Sequence, residues 1–154
     1  MVKEVVDMPS VDDVASDVVL LTGQLPPNRL QRLLYYCQVW HLAWFGDTLF
    51  PEIIVANPSG PVIPSIRARI PRYTPLVASW PYGSKYRLTW KQHAMVSEIV
   101  YAYDAFDQFQ LAMLCQHDGP WLAARRGLDA SDTVGRIITV DLMYQCYCNY
   151  DQAV

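Results

Sequence analysis

Apolar residues recur along this chain mostly at helical spacing, most densely in Asn28–Gly46, NRLQRLLYYCQVWHLAWFG. At about 100° per residue, Leu30, Leu33, Leu34, Cys37, Trp40, His41 and Trp44 share one stripe. Tyr35, Val39, Leu42 and Ala43 occupy the other side. A helix apolar nearly all round is a buried one, with neighbours on more than one side. Asn28 is placed to cap it, and Gly46 stands where a left-handed residue would end it. The pattern therefore predicts a mainly α fold: one compact helical domain around a buried central helix at about 28–45.

The flanking segments follow the same logic. Residues 1–9 read as a loose lead-in, and one domain is expected over 1–154. Ser10 with Asp13 forms a capping-box pattern, Val11, Val14, Ala15, Val18 and Leu21 continue at helical spacing, and Gly23 stops the helix. After Gly46 the character changes, with seven of the eleven prolines between Pro51 and Pro81. Long helices are excluded there. Short strands are expected at Glu52–Ala56 and Lys85–Leu88, a turn at Asn57–Pro61 and a short helix at Pro64–Ile70. Together these make a small β-ribbon in the middle third. Thr89 with Gln92 opens the next helix, with Val96, Ile99, Val100 and Tyr103 as its stripe. Asp107 caps another, buried through Leu111, Leu114 and Cys115. Pro120 and Trp121 restart the chain and Gly127 stops it. Thr139 caps a last helix whose buried side is Val140, Met143, Tyr144 and Tyr147.

Composition adds bounds. A chain of 154 residues with 52% apolar content can bury a core without staples. No run approaches the roughly 18 apolar residues of a membrane span, and the first ten residues lack an apolar signal region. The expected setting is the cytoplasm, with Cys37, Cys115, Cys146 and Cys148 as free, buried thiols. Net charge is −3, distributed unevenly. Residues 53–97 hold six bases (Arg67, Arg69, Arg72, Lys85, Arg87, Lys91) and no acid, whereas both flanks are acidic. The middle third is expected to carry most of any positive field.

Candidate chemistry is sparse. Cys37 and His41 lie four apart on the central helix, as a thiol–imidazole pair or half a metal site would. No further partner has recognisable spacing, so both read as core. Cys146 and Cys148 diverge by about 200° on a helix, and no P-loop, GxGxxG, HExxH or GxSxG is present. His117 reads as a cap on its helix's last carbonyls. No catalytic residue, metal or cofactor is expected. Arg67, Arg69, Arg72, Lys85 and Arg87 stand near Trp80, Tyr82, Tyr86 and Trp90. Such a mixture fits a solvated face, a protein hot spot or a stacking surface for single-stranded nucleic acid. A sequence pI near 5.5 disfavours the last.

Four pieces in register carry a resemblance. Leu30–Tyr35 (LQRLLY) followed by Trp40 and His41 resembles the opening of the Panacea domain, the SocA-like antitoxin domain. Thr48–Phe50, Glu52–Ala56 and Gly60–Pro64 (GPVIP) stand where that family has its P-L-F, E-I-E-A-W and G-P-V-x-P steps. The stretch from Cys115 to Arg125 (CQHDGPWLAAR) is similar to its T-H-x-x-x-P-W-x-x-A-R segment. Asn57, Arg32 and Cys115–Gln116 depart from the usual residues.

The resemblance implies a mostly helical fold and an antitoxin, of prokaryotic or phage origin, that binds a toxin encoded beside it. The alternative it implies is an adaptor handing a client to a AAA+ protease; an enzyme using Cys37 and His41 is a third. Family members with a DNA-binding domain carry it at the N-terminus, and about 27 residues precede the central helix here, so direct DNA binding is not expected. The expected toxin contact is Arg67, Arg69, Arg72, Trp80, Tyr82, Lys85 and Arg87, aromatics as anchors and bases for steering. The motif residues Leu30, Gln31, Leu33, Leu34, Tyr35, Trp40, His41, Gly60, Pro61, Val62, Pro120 and Trp121 are expected to be structural.

Overall fold

The central helix forms as its periodicity predicts, and it is enclosed. In the computed structural model, which describes residues 8–148, helix α1 spans Val11–Thr22 and the central helix α2 spans Pro27–Phe45. Residues 1–7 of the expected lead-in lie outside the described residues. Leu30, Leu33, Leu34, Tyr35, Cys37, Val39 and Leu42 are all buried, as are the polar Gln31, Arg32 and Gln38. Apolar stripes on both sides leave α2 without a solvent face along its middle; only its ends emerge, at Asn28 and at Trp44 and Phe45. Gly46 ends it in the left-handed region (φ 78°, ψ 2°), its N–H donating to the Leu42 carbonyl. Asn28 is not the cap: the helix begins one residue earlier, with Pro26 at the N-cap and Pro27 in the first turn. Pro27 has no N–H of its own to satisfy, and no side chain caps the N–H groups that follow it.

Around α2 lie α4 (Trp90–Tyr103), α5 (Gln108–Gln116), α6 (Gly119–Ala124) and α7 (Val140–Cys148), together with the single-turn α3 (Pro64–Arg67). The described residues thus form seven helices and a three-stranded antiparallel sheet, a mainly α fold. The capping boxes of Ser10 with Asp13 and Thr89 with Gln92 form as read from sequence, and the Asp107 cap gains Gln110 as a reciprocal partner. Packing differs from expectation at both ends of the α5–α7 region. Leu114 is exposed, and Val140 and Tyr144 are each about half exposed. Helix α7 buries Met143 and packs Tyr147 on the core as expected, and adds Leu142 and Cys148 in place of Val140 and Tyr144. A nine-residue helix shows one stripe to the core, and neighbours rather than periodicity chose which.

The ribbon is built from partly different residues than predicted. Strand β1 (Val55–Asn57) pairs with β2 (Gly60–Val62) across the two-residue turn Pro58–Ser59, and β3 (Arg136–Ile137) pairs on β1's other edge. The expected strand at 52–56 therefore starts three residues late. Glu52 is used otherwise: its carboxylate accepts the Val11 N–H at 2.9 Å, capping α1 from 41 residues away. Lys85–Leu88 is no strand. Ser84 accepts from the Tyr86 N–H and winds Lys85–Arg87 into a 3-10 turn.

Two glutamines of α2 hold the irregular chain against the helix. Gln31 accepts from the Ile63 N–H (2.8 Å) and donates to the Ile63 carbonyl (3.2 Å). Gln38 accepts from the Leu49 and Phe50 N–H groups (2.8 and 3.2 Å) and donates to the Phe50 carbonyl (2.8 Å). A primary amide offers both donors and acceptor lone pairs, so each glutamine satisfies buried backbone that no strand pairs. From the other side, Trp121 donates to the Asn57 carbonyl (2.8 Å), and buried Arg125 donates to the carbonyls of Ala56, Asp129 and Asp132. The LQRLLY and PWLAAR motifs thus clamp the same hairpin region from opposite sides.

Candidate functional site

The acid-free middle segment folds against the acidic α1, and this changes its electrostatics. Arg69 grips Asp12 with two hydrogen bonds, 3.0 and 3.1 Å, and Trp80 donates its indole N–H to the same carboxylate at 3.1 Å. Asp13 accepts from the backbone of Ser10 and Ser84 (both 2.9 Å) and stands 3.8 Å from Arg87. Close approach of the loop demands glycine: a Cβ on Gly83 would lie 2.4–2.5 Å from the Asp12–Asp13 peptide. Deeper in the same seam, His93 Nδ1 meets Asp17 at 2.7 Å. Burial raises the Asp17 carboxyl above its ordinary value, against the lowering effect of His93. Two of the segment's six bases, Arg69 and Arg87, therefore stand against carboxylates of α1.

The seven expected contact residues consequently divide. Trp80 is buried, 6% exposed, edge-on to Tyr82 with ring centroids 5.3 Å apart. Arg69 bridges Asp12 and the Tyr82 ring, its guanidinium 4.5 Å from the centroid. Tyr82 keeps one face in solvent, Lys85 lies 5.4 Å from the Tyr86 ring, and Arg87 is exposed beside Asp13. Arg67 and Arg72 are exposed and line a cleft of about 400 Å³ with Pro27, Asn28, Gln31 and Ile70. Next to Arg72, Tyr73 is 95% exposed in the left-handed region (φ 65°). A tyrosine held there without burial is uncommon, and no periodicity or motif in the sequence marks it.

The candidate thiols are not poised for chemistry. Burial pushes the Cys37 thiol well above its usual range and the Cys115 thiol up to about 11. Cys146 is raised by the same cause. Each keeps its proton at neutral pH, when a nucleophile must be a thiolate. His41 turns from Cys37 to the backbone carbonyl of Asp47, 2.7 Å from Nδ1, and stacks obliquely on Phe45. His117 Nδ1 meets the Met113 carbonyl at 2.8 Å, the capping role its position suggests.

A buried polar knot joins the motif residues. Asp118 accepts from the Tyr35 hydroxyl and from the Tyr147 hydroxyl, the latter at 2.6 Å. Burial raises its carboxyl above the ordinary value although both hydroxyls pull it down. Tyr36 stacks on Tyr103 at 4.2 Å, and Trp40 donates to the Tyr103 hydroxyl at 2.9 Å. These contacts tie α7 and α4 to α2. Pro120 is buried behind them and Gly60 and Pro61 are buried in β2.

Among the described residues no three His, Cys, Asp or Glu side chains are grouped to hold a metal, and no helix is long and apolar enough to cross a membrane. No curated protein and no solved structure matches the chain. A family model does match, over residues 30–122, from the first residue of LQRLLY to just past Pro120–Trp121. That span covers more than half of the 154 residues and contains Gln31 and Trp121, which hold the hairpin region; the chain belongs to the antitoxin SocA-like, Panacea domain family.

Proposed function

We propose that this chain is a cytoplasmic antitoxin that neutralises a protein toxin encoded beside it by stoichiometric binding. The family match over residues 30–122 carries the reading. The geometry supports a binding role: the buried thiols keep their protons, and the buried polar side chains are spent on backbone and on each other. Toxin contact through the proline-rich segment rests on its exposed members. Arg67 and Arg72 steer an acidic part of the toxin into their cleft, and Tyr82 and Tyr73 provide rigid anchors. Arg69, Lys85 and Arg87 border this face, and Trp80 supports it from beneath. No contact with nucleic acid is part of this reading.

Co-expression tests it. The neighbouring gene's product, induced alone, arrests growth, and growth returns when this chain is made with it. A neighbour that is harmless alone, or equally toxic beside this chain, ends the antitoxin reading. The toxin's half-life separates two mechanisms. Sequestration leaves it unchanged or longer, whereas a shortened half-life assigns the chain to delivery to a AAA+ protease.

A further inference from the structure

Helix α5 breaks the rule that α2 obeys. Its sequence, QFQLAMLCQ, is apolar on most sides, yet only Leu111 and Cys115 are buried. Phe109 is 74% exposed, and Met113 and Leu114 also face solvent. An all-round apolar helix signals neighbours on several sides, and among the described residues one side has none.

The uncovered side is shaped. One groove of about 410 Å³ runs between α2 and α4, lined by Trp40, Trp44, Ile99, Phe106 and Leu114 with Glu98. A second, of about 350 Å³, continues along α5 past Phe106, Phe109, Met113 and Leu114 to His117. They share Phe106 and Leu114, so they form one apolar channel flanked by three helices. Its walls are fixed before any partner arrives. Trp40 is hydrogen-bonded to Tyr103 and packs on Trp44, and Arg29 donates to the carbonyls of Tyr103 and Phe106, both at 2.8 Å. Charge around the channel has one sign. Glu98 lines it, Asp107 is exposed at the start of α5, and residues 92–124 contain no lysine or arginine. The nearby cation Arg29 is committed to backbone carbonyls.

We propose that this channel seats an amphipathic helix of the toxin, apolar on the face it buries and carrying lysine or arginine on its flanks. This rests on the antitoxin reading for the identity of the partner. Grooves between helices accept helical segments through anchors at i, i+3, i+4 and i+7. The acid-only rim selects the basic flanks and opposes a second copy of the chain. A two-fold dimer through this face would set like charges against each other.

Two probes separate this inference from the reading beneath it. The first is the neighbouring gene's product, titrated calorimetrically against the full chain. Phe109→Ser with Leu114→Ser should weaken its Kd at least a hundredfold, and Phe109→Ser alone, at a side chain 74% exposed, should do so at least tenfold with little change in the thermal midpoint. Glu98→Lys should weaken it about fivefold and flatten its salt dependence. The second probe is a 14-residue Leu/Lys amphipathic peptide, with a Leu/Glu peptide as control, followed by the change in tryptophan fluorescence, since Trp40 and Trp44 line the channel. The Leu/Lys peptide should bind the wild type, bind the Phe109/Leu114 variant at least tenfold more weakly, and outcompete the Leu/Glu peptide. Toxin binding within twofold of wild type in these variants overturns the proposal. So does a Leu/Lys peptide that fails to bind or ignores the substitutions. A dimer in sedimentation that dissociates on Phe109→Ser overturns it in favour of self-association. A wild type that binds the peptide but not the neighbouring product refutes the antitoxin reading and leaves the channel standing.

Discussion

Replacing Gln38 with leucine tests whether the amides of α2 hold the irregular chain in place. The change nearly conserves volume, so it acts through hydrogen bonds. It leaves three backbone groups unpaired: the N–H of Leu49 and both the N–H and carbonyl of Phe50. Gln38 is 2% exposed, and Leu49 and Phe50 are fully buried, so water cannot replace the amide without opening the loop. Each buried group left unpaired costs about 1–3 kcal/mol. Allowing for relaxation and the apolar gain of leucine, the expected loss is about 3–5 kcal/mol. That is a large share of the roughly 5–15 kcal/mol that holds a typical domain together. With a urea dependence of about 2 kcal/mol/M, the midpoint should fall by about 2 M in equilibrium unfolding followed by circular dichroism. Gln24→Leu, at an exposed position, should stay within about 0.5 kcal/mol. A midpoint shift for Gln38→Leu of under about 0.5 M, at unchanged slope, would refute the clamp.

Further predictions concern the hairpin, the α1 seam and the buried carboxylate. Arg125→Met strips donors from the carbonyls of Ala56, Asp129 and Asp132 and should cost about 2–3 kcal/mol, hydrogen exchange rising first at residues 55–57 and 129–137. Protection unchanged there would show that Trp121 alone suffices. Gly83→Ala must push the loop off the Asp12–Asp13 peptide and should lose about 1–3 kcal/mol in thermal unfolding; a neutral result would contradict the tight seam. Asp118 has its carboxyl raised by burial, so its contribution is full below the ordinary carboxylate value and fades as pH rises through the folded value. The stability of Asp118→Asn relative to wild type should therefore improve from about pH 4 to pH 7 in urea titrations. A relative stability that worsens over that range reverses the sign and refutes burial as the dominant effect.

What could be read from sequence followed the range of the interactions involved. Ser10 with Asp13, Thr89 with Gln92 and Asp107 with Gln110 act across three residues, and each cap formed where expected. The burial of α2 was legible because its apolar residues leave no polar side to choose. Helix α7 offered a choice: Val140 and Tyr144 face solvent, while Met143 is buried and the Tyr147 hydroxyl reaches the Asp118 carboxylate. The strand expected at Lys85–Leu88 has the alternation of one, but the Asp13 carboxylate takes the Ser84 N–H from 71 residues away and Ser84 winds the turn. The same distance hid the fate of the basic segment. Arg69 and Asp12 are 57 residues apart, and nothing local shows that they pair. Leu114 has the helical spacing of a core leucine, and its exposure exists only in the assembled surface. The four motif pieces identified the family because they are the contacts on which the hairpin and α2 depend.

Stoichiometric titration of the purified toxin tests the central claim most directly. Its activity, measured at concentrations well above the Kd, should fall linearly as this chain is added and vanish at a fixed molar ratio, with both proteins intact and eluting together. Activity that persists past equivalence, or that is lost at a small fraction of it, would contradict neutralisation by binding.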